Sequence, residues 1–157
     1  MRIIKATAEH ADMVGYIHSN AWKSAYQDIF PKEYLEADTI DKRKEEFKAS
    51  LAYDNIAYYL VFEDDNAAGI VKILTENSVC EVAAVYFLEE YRNKGYGTET
   101  LTYIKNIYQD HRIVLWVLKE NLKARQFYEK NRFAATGESR TIHRGDEYVQ
   151  VKYEMWN

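Results

Sequence analysis

The chain has 157 residues, and 47% of them are hydrophobic, which excludes wholesale disorder and, at about 150 residues per domain, points to one domain over 1–157. Its 21 Lys and Arg against 25 Asp and Glu leave a formal net charge of −4, a poor balance for general nucleic-acid binding, which needs surplus cations to neutralise phosphates. A single cysteine, Cys80, excludes an intrachain disulfide framework and a Cys-rich zinc site. Met1–Lys5 has no apolar run of signal-peptide length, and no window approaches a membrane span, so a soluble cytoplasmic protein without membrane partners is expected.

Arg2–Ala6 reads as a short strand. Thr7 is placed to cap a helix over Ala8–Tyr26, with Met13, Val14, Ile17, Ala21 and Ala25 recurring on one face. Pro31 breaks or restarts structure beyond it. Thr39 is placed to cap a second helix to Leu51, whose run Asp41–Glu46 reads as a solvated face. Ile56–Phe62 and Gly69–Leu74 are strand-like and separated by a turn at Glu63-Asp64-Asp65-Asn66. Cys80–Leu88 is largely apolar, as a buried central strand is. Thr98–Gln109 is helical, Ile113–Leu118 is a further buried strand, and Leu122–Lys130 is a short helix with Asn121 as its cap. Phe133–Thr141 and Glu147–Met155 form a final hairpin around Arg144-Gly145-Asp146. The order β-α-α-β-β-β-α-β-α-β-β predicts an α/β (α+β) fold with a mixed, mostly antiparallel central sheet and flanking helices.

The chemistry concentrates where the central strand ends. A short loop, Glu89–Gly97, leads straight into a helix, and the free N–H groups of a helix N-terminus together with its dipole suit a phosphate. Gly95 and Gly97 are expected to let the ligand approach the backbone, and Arg92 and Lys94 to add charge. The Gly-Lys-Ser/Thr of a P-loop is absent, and the third Gly of a dinucleotide fingerprint is missing from Gly95-Tyr96-Gly97-Thr98-Glu99-Thr100.

What remains is Arg-x-x-Gly-x-Gly at Arg92–Gly97. With the strand Val85-Tyr86-Phe87-Leu88 before it, this segment closely resembles the acyl-CoA signature of the GNAT superfamily of N-acyltransferases. The second half, Ile113–Leu118 followed by Asn121, Ala124, Phe127, Tyr128 and Phe133, resembles it too. The resemblance covers about Ile3 to Met155; it is strong over Cys80–Phe133 and loose before Ile56. It implies acetyl-CoA as cosubstrate. Its pyrophosphate would lie on the amides of Arg92, Asn93, Lys94, Gly95, Tyr96, Gly97 and Thr98. Its pantetheine would run beside Val85, Tyr86 and Phe87, with the Phe87 N–H polarising the thioester carbonyl. Asn121 and Phe127 would be further contacts. It also leaves room for a homodimer, which no sequence feature demonstrates.

Amine attack needs a neutral nitrogen and therefore a base. Glu81, eleven residues before Arg92, resembles in its interval the glutamate base of the protein-modifying members. A surface glutamate at a strand start is the competing reading, and alternation would set Glu81, Ala83 and Val85 on one strand face. Tyr128, seven residues after Asn121, resembles the family's general-acid tyrosine; a packed tyrosine is its alternative. The four histidines form no metal set, and Cys80 lies away from the expected thioester.

Trp22 and Tyr26, followed by Pro31 and Tyr34-Leu35, look like the N-terminal segment of small members assigned to polyamines, amino sugars or amino acids. They are expected either to line an acceptor site, with His18, or to pack the helix on the sheet. Tyr148 and His143 on the last hairpin are weaker acceptor candidates. The leading expectation is an N-acetyltransferase acting on a small primary amine by direct transfer. The alternatives are acetylation of protein N-termini or lysines, and a non-catalytic acetyl-CoA sensor.

Overall fold

The protein is described by a computed structural model over residues 1–156. Seven strands form one sheet: β1 (Arg2–Lys5), β2 (Ile56–Glu63), β3 (Asn66–Glu76), β4 (Val79–Phe87), β5 (Arg112–Leu118), β6 (Phe133–His143) and β7 (Glu147–Met155). Their order across the sheet is β1-β2-β3-β4-β5-β7-β6. Every pairing is antiparallel except β4 with β5. A parallel pair needs a crossover, which α4 (Tyr96–Ile107) supplies. The other helices are α1 (Ala11–Tyr26), α2 (Lys32–Ala37), α3 (Ile40–Ser50) and α5 (Leu122–Lys130). No helix among the described residues is long and apolar enough to cross a membrane.

Each face of the sheet carries its own core. Leu101 and Ile104 of α4 pack on Val71, Ile73, Val82, Ile113, Leu115 and Tyr153, with Phe127 and Tyr128 of α5 against the same cluster. Val14 and Ile17 of α1 and Phe47 of α3 pack on the opposite face, over Tyr58, Leu60 and Ile70. Each of these helices thus buries one apolar stripe on the sheet.

Three departures from the sequence expectation have local causes. The first helix begins as a 3-10 turn, Ala8–His10, because the Thr7 N–H donates to His10 Nδ1 at 2.9 Å and tightens the start. Pro31, with φ −56°, starts the separate six-residue α2, which the sequence reading passed over. Asp64, at φ 53°, and Asp65 close the β2–β3 turn, so pairing continues to Asn66. Thr39 and Asn121 cap their helices as expected, their side chains accepting from Lys42 N and Ala124 N.

Two irregularities in β4 position the site. Val82 pairs with Ile73 and Ala84 with Lys72, so Ala83 is an extra, bulged residue. The bulge reverses the alternation. Val82 and Val85 both belong to the α4 side, whereas Glu81, opposite Leu74, shares the other face with Ala84 and Tyr86. Glu81 and Val85 therefore do not share a face. Pairing of β4 with β5 then stops after Val79↔Arg112, Cys80↔Ile113 and Glu81↔Val114, and the two strands splay apart.

Candidate active site

The splay opens into a cleft of about 820 Å³ between β4, α4 and α5. Leu88 N–H donates to Ala68 O of β3 at 2.9 Å. Successive backbone amides point to opposite sides of a strand, so the N–H groups of Val85 and Phe87 point away from β3, toward the splay. The Phe87 carbonyl agrees, since it accepts from Arg92 Nε at 3.0 Å.

The opposite wall is the start of α4. Gly95 caps it with φ +84°, and Asn93 precedes it at φ 61°. The first helical bond at this end runs from Glu99 N–H to Gly95 O, which leaves the amides of Tyr96, Gly97 and Thr98 without helical acceptors. Nothing lies within 4 Å of where a Gly95 Cβ would be, so the left-handed backbone, not crowding, is what calls for glycine here. Gly97 has a different reason. A Cβ there would meet Phe127 Cζ at 2.8 Å, so this glycine lets α4 and α5 close together rather than admitting ligand.

The two basic side chains of the loop are committed elsewhere. Arg92 bonds the carbonyls of Phe87 (3.0 Å) and Ala21 (3.3 Å), tying the loop to β4 and α1. Lys94 pairs with Glu63 at 3.2 Å and does not line the cleft. The Tyr96 hydroxyl donates to the same Glu63, and these two partners hold that carboxyl below its usual range. Besides Arg92, Lys123 and Lys130 of α5 bring positive charge to the cleft, both unmarked in the sequence reading. Their seven-residue spacing, with Phe127 between, puts all three on one helix face, and that periodicity was the available signal.

Val85, Tyr86, Phe87, Arg92, Asn93, Gly95, Tyr96, Gly97, Thr98, Asn121, Phe127 and Tyr128 all line this cleft; Glu81, Trp22 and Tyr26 do not. The Tyr128 ring stands edge-on to Phe127 and Phe133, and burial, then the nearby Tyr26, pushes its hydroxyl pKa up. A tyrosine so raised keeps its proton at neutral pH and is a donor. Tyr26 and Tyr86 hydroxyls lie 3.3 Å apart on the α1 side.

Trp22 is 8% exposed and packs among Tyr26, Phe30 and Tyr34, with the Arg43 guanidinium 5.2 Å above it. Through these contacts it joins α1 to α2. His18 is buried beside Tyr86, and burial, reinforced by Arg43 and Lys72, lowers its pKa to about 3, so it is neutral. Tyr148 donates to Ile29 O, fastening the last hairpin to the α1–α2 segment, and His143 is exposed on β6. Cys80 is fully buried, with its thiol pushed up to about 12, and is inert as a nucleophile.

The sequence profile of the acetyltransferase (GNAT) family matches residues 19–133, most of the chain. The chain belongs to that family. This acetyltransferase is 25% identical over 141 residues to the spermidine N(1)-acetyltransferase of Thermoplasma acidophilum, covering 85% of its own length and 88% of the relative's. Its fold is that of the PaiA N-acetyltransferase of the same organism solved with coenzyme A (TM-score 0.78, 21% identity, 99% and 98% of the two chains). The ribosomal-protein-S18-alanine N-acetyltransferase of Escherichia coli has it as well (TM-score 0.74, 13% identity, 98% and 92%).

Proposed function

We propose that this acetyltransferase moves an acetyl group from acetyl-CoA to a primary amine of a small molecule by direct attack. The observation that carries the reading is the splay itself, with two outward N–H groups of β4, an open helix N-terminus and a protonated tyrosine around one cleft. The residues fit the cofactor: the amides of Tyr96, Gly97 and Thr98 suit its phosphates, Lys123 and Lys130 add charge, and β4 from Val85 to Phe87 suits its extended arm. When bound, acetyl-CoA supplies the acetyl group as a thioester.

The chain's own residues do the rest. The N–H groups of Val85 and Phe87 are fixed donors where negative charge gathers on a carbonyl oxygen, a large term in such transfers. Glu81, on the sheet face opposite the cofactor arm, takes a proton from an amine approaching from that face, directly or through water. Tyr128 gives its proton to the departing sulfur. Arg92 positions the loop rather than holding phosphate. The small-amine class is supported by the Thermoplasma relative, which acts on spermidine.

Calorimetric titration with acetyl-CoA, then thiol release across polyamines, amino sugars, amino acids and N-terminal peptides, tests this. Binding with release on one small-amine class is expected. Release on peptides alone selects protein acetylation, binding without release on any amine selects the sensor, and absence of binding removes the whole reading.

A further inference from the structure

The loop that leads into α4 takes a backbone course that needs holding. Asn93 at φ 61° and Gly95 at φ +84° are both left-handed, with Lys94 between them. Such conformations persist where the surrounding structure fixes them. Arg92 supplies one hold, through its bonds to the carbonyls of Phe87 and Ala21. The other comes from the end of β2.

Glu63 is the last residue of β2, opposite Asn66 at the β2–β3 turn. Its Oε1 accepts from the Tyr96 hydroxyl and, at 3.2 Å, from Lys94 Nζ. The same ammonium lies 5.5 Å from the centre of the Tyr91 ring. One carboxylate oxygen therefore engages both the residue between the two left-handed positions and the first residue of α4. Of the acidic residues at this turn, Glu63, Asp64 and Asp65, only Glu63 bonds the loop among the described residues.

These contacts divide the loop. Asn93, Gly95, Tyr96, Gly97 and Thr98 line the cleft, and Lys94 does not. The Tyr96 amide is one of the three that the helix leaves open, so a fixed Tyr96 side chain also fixes a free donor. Donors held in place before a ligand arrives bind it without the cost of ordering them. The pair with Lys94 meanwhile neutralises a carboxylate that would otherwise stand uncompensated beside an anion site.

We infer that Glu63 is a positioning residue for cofactor binding: it braces the first turn of α4 through the Tyr96 hydroxyl, and it engages Lys94 so that phosphate recognition falls to backbone amides rather than to that ammonium. This rests on the acetyl-CoA reading above and adds to it a residue 33 positions before Tyr96, outside the cleft.

Calorimetric titration with two probes tests it: acetyl-CoA, and the nucleotide half of coenzyme A, which carries all its phosphates and none of its extended arm. Glu63→Ala and Tyr96→Phe are each expected to weaken both probes about tenfold, and the double variant no more than either alone, because both remove the same bond. Glu63→Gln keeps an oxygen for the Tyr96 hydroxyl and should recover most of the loss. Lys94→Met should weaken either probe by roughly twofold at most, and the melting temperatures of the unliganded variants should stay close to that of the unaltered protein, since a partly exposed pair contributes little to folding. Unchanged affinity in Glu63→Ala overturns the proposal. So does a Lys94→Met loss as large as that of Glu63→Ala, which would make Lys94 the phosphate ligand, and so does weakening of acetyl-CoA without weakening of the nucleotide half. Failure of the unaltered protein to bind acetyl-CoA is a separate result, seen before any variant is compared; it removes the cofactor reading and this proposal with it.

Discussion

At the scale of single residues, the cleft separates groups that act from groups that hold. Tyr128 keeps its proton at neutral pH and makes no side-chain hydrogen bond to another described residue, which leaves the hydroxyl without a competing acceptor. Tyr128→Phe is expected to lower kcat by about a hundredfold, the lower range for a lost general acid, with the acetyl-CoA Kd unchanged. Full turnover in that variant, measured by thiol release, removes Tyr128 from the mechanism. Gly95 and Gly97 are constrained differently. Gly95→Ala forces a side chain to φ +84°, at a cost of about 1–2 kcal/mol, and disturbs the amides beside it. Gly97→Ala presses on the Phe127 ring at 2.8 Å, an overpacking defect of about 1–3 kcal/mol. Urea denaturation reads both losses, and truncating the ring in a Gly97→Ala/Phe127→Leu double variant should recover much of the second. The sequence marked both glycines, but only the packing of α5 distinguishes their roles.

At the scale of elements, most of the architecture was legible. β-branched and aromatic runs located all seven strands, and Thr39 and Asn121 announced their helices through side-chain capping, a local signal. The parts that were not legible depend on partners distant in the chain. The Ala83 bulge follows from how β4 meets β3, and no period-two pattern reveals it. Nothing near Arg92 in the sequence announces its bond to Ala21, 71 residues away. Arg92→Ala should accordingly cost stability, about 1.5–3 kcal/mol for hydrogen bonds to a charged group, as well as acetyl-CoA affinity. A pure phosphate ligand would lose affinity with the denaturation midpoint unmoved, so the two measurements together decide.

At the scale of the whole molecule, the buried neutral His18 ties folding to pH. Its pKa is about 3 when folded and near 6.5 when free, so below 6.5 the unfolded chain binds a proton that the folded chain refuses. The stability this contributes is full above pH 6.5 and is lost as pH falls toward 3, by at most about 1.4 kcal/mol per pH unit. His18→Leu removes that dependence, and its denaturation midpoint should fall less steeply over the same window than that of the unaltered protein. Identical slopes would mean that His18 does not couple folding to acid. The sequence placed His18 on the right helix, but only the sheet beneath it and the charges of Arg43 and Lys72 explain its neutrality.

The early end of β4–β5 pairing also bears on solubility. An unpaired row of strand amides is a sheet edge, and an exposed edge invites another chain to add to it. Here the edge lies in the interior of the sheet, at the bottom of a slot walled by α4 and α5. The unpaired amides thus sit between two central strands rather than along an outer edge of the sheet, and because a ligand that fills the slot binds only the folded chain, saturating it should slow aggregation that starts from unfolding.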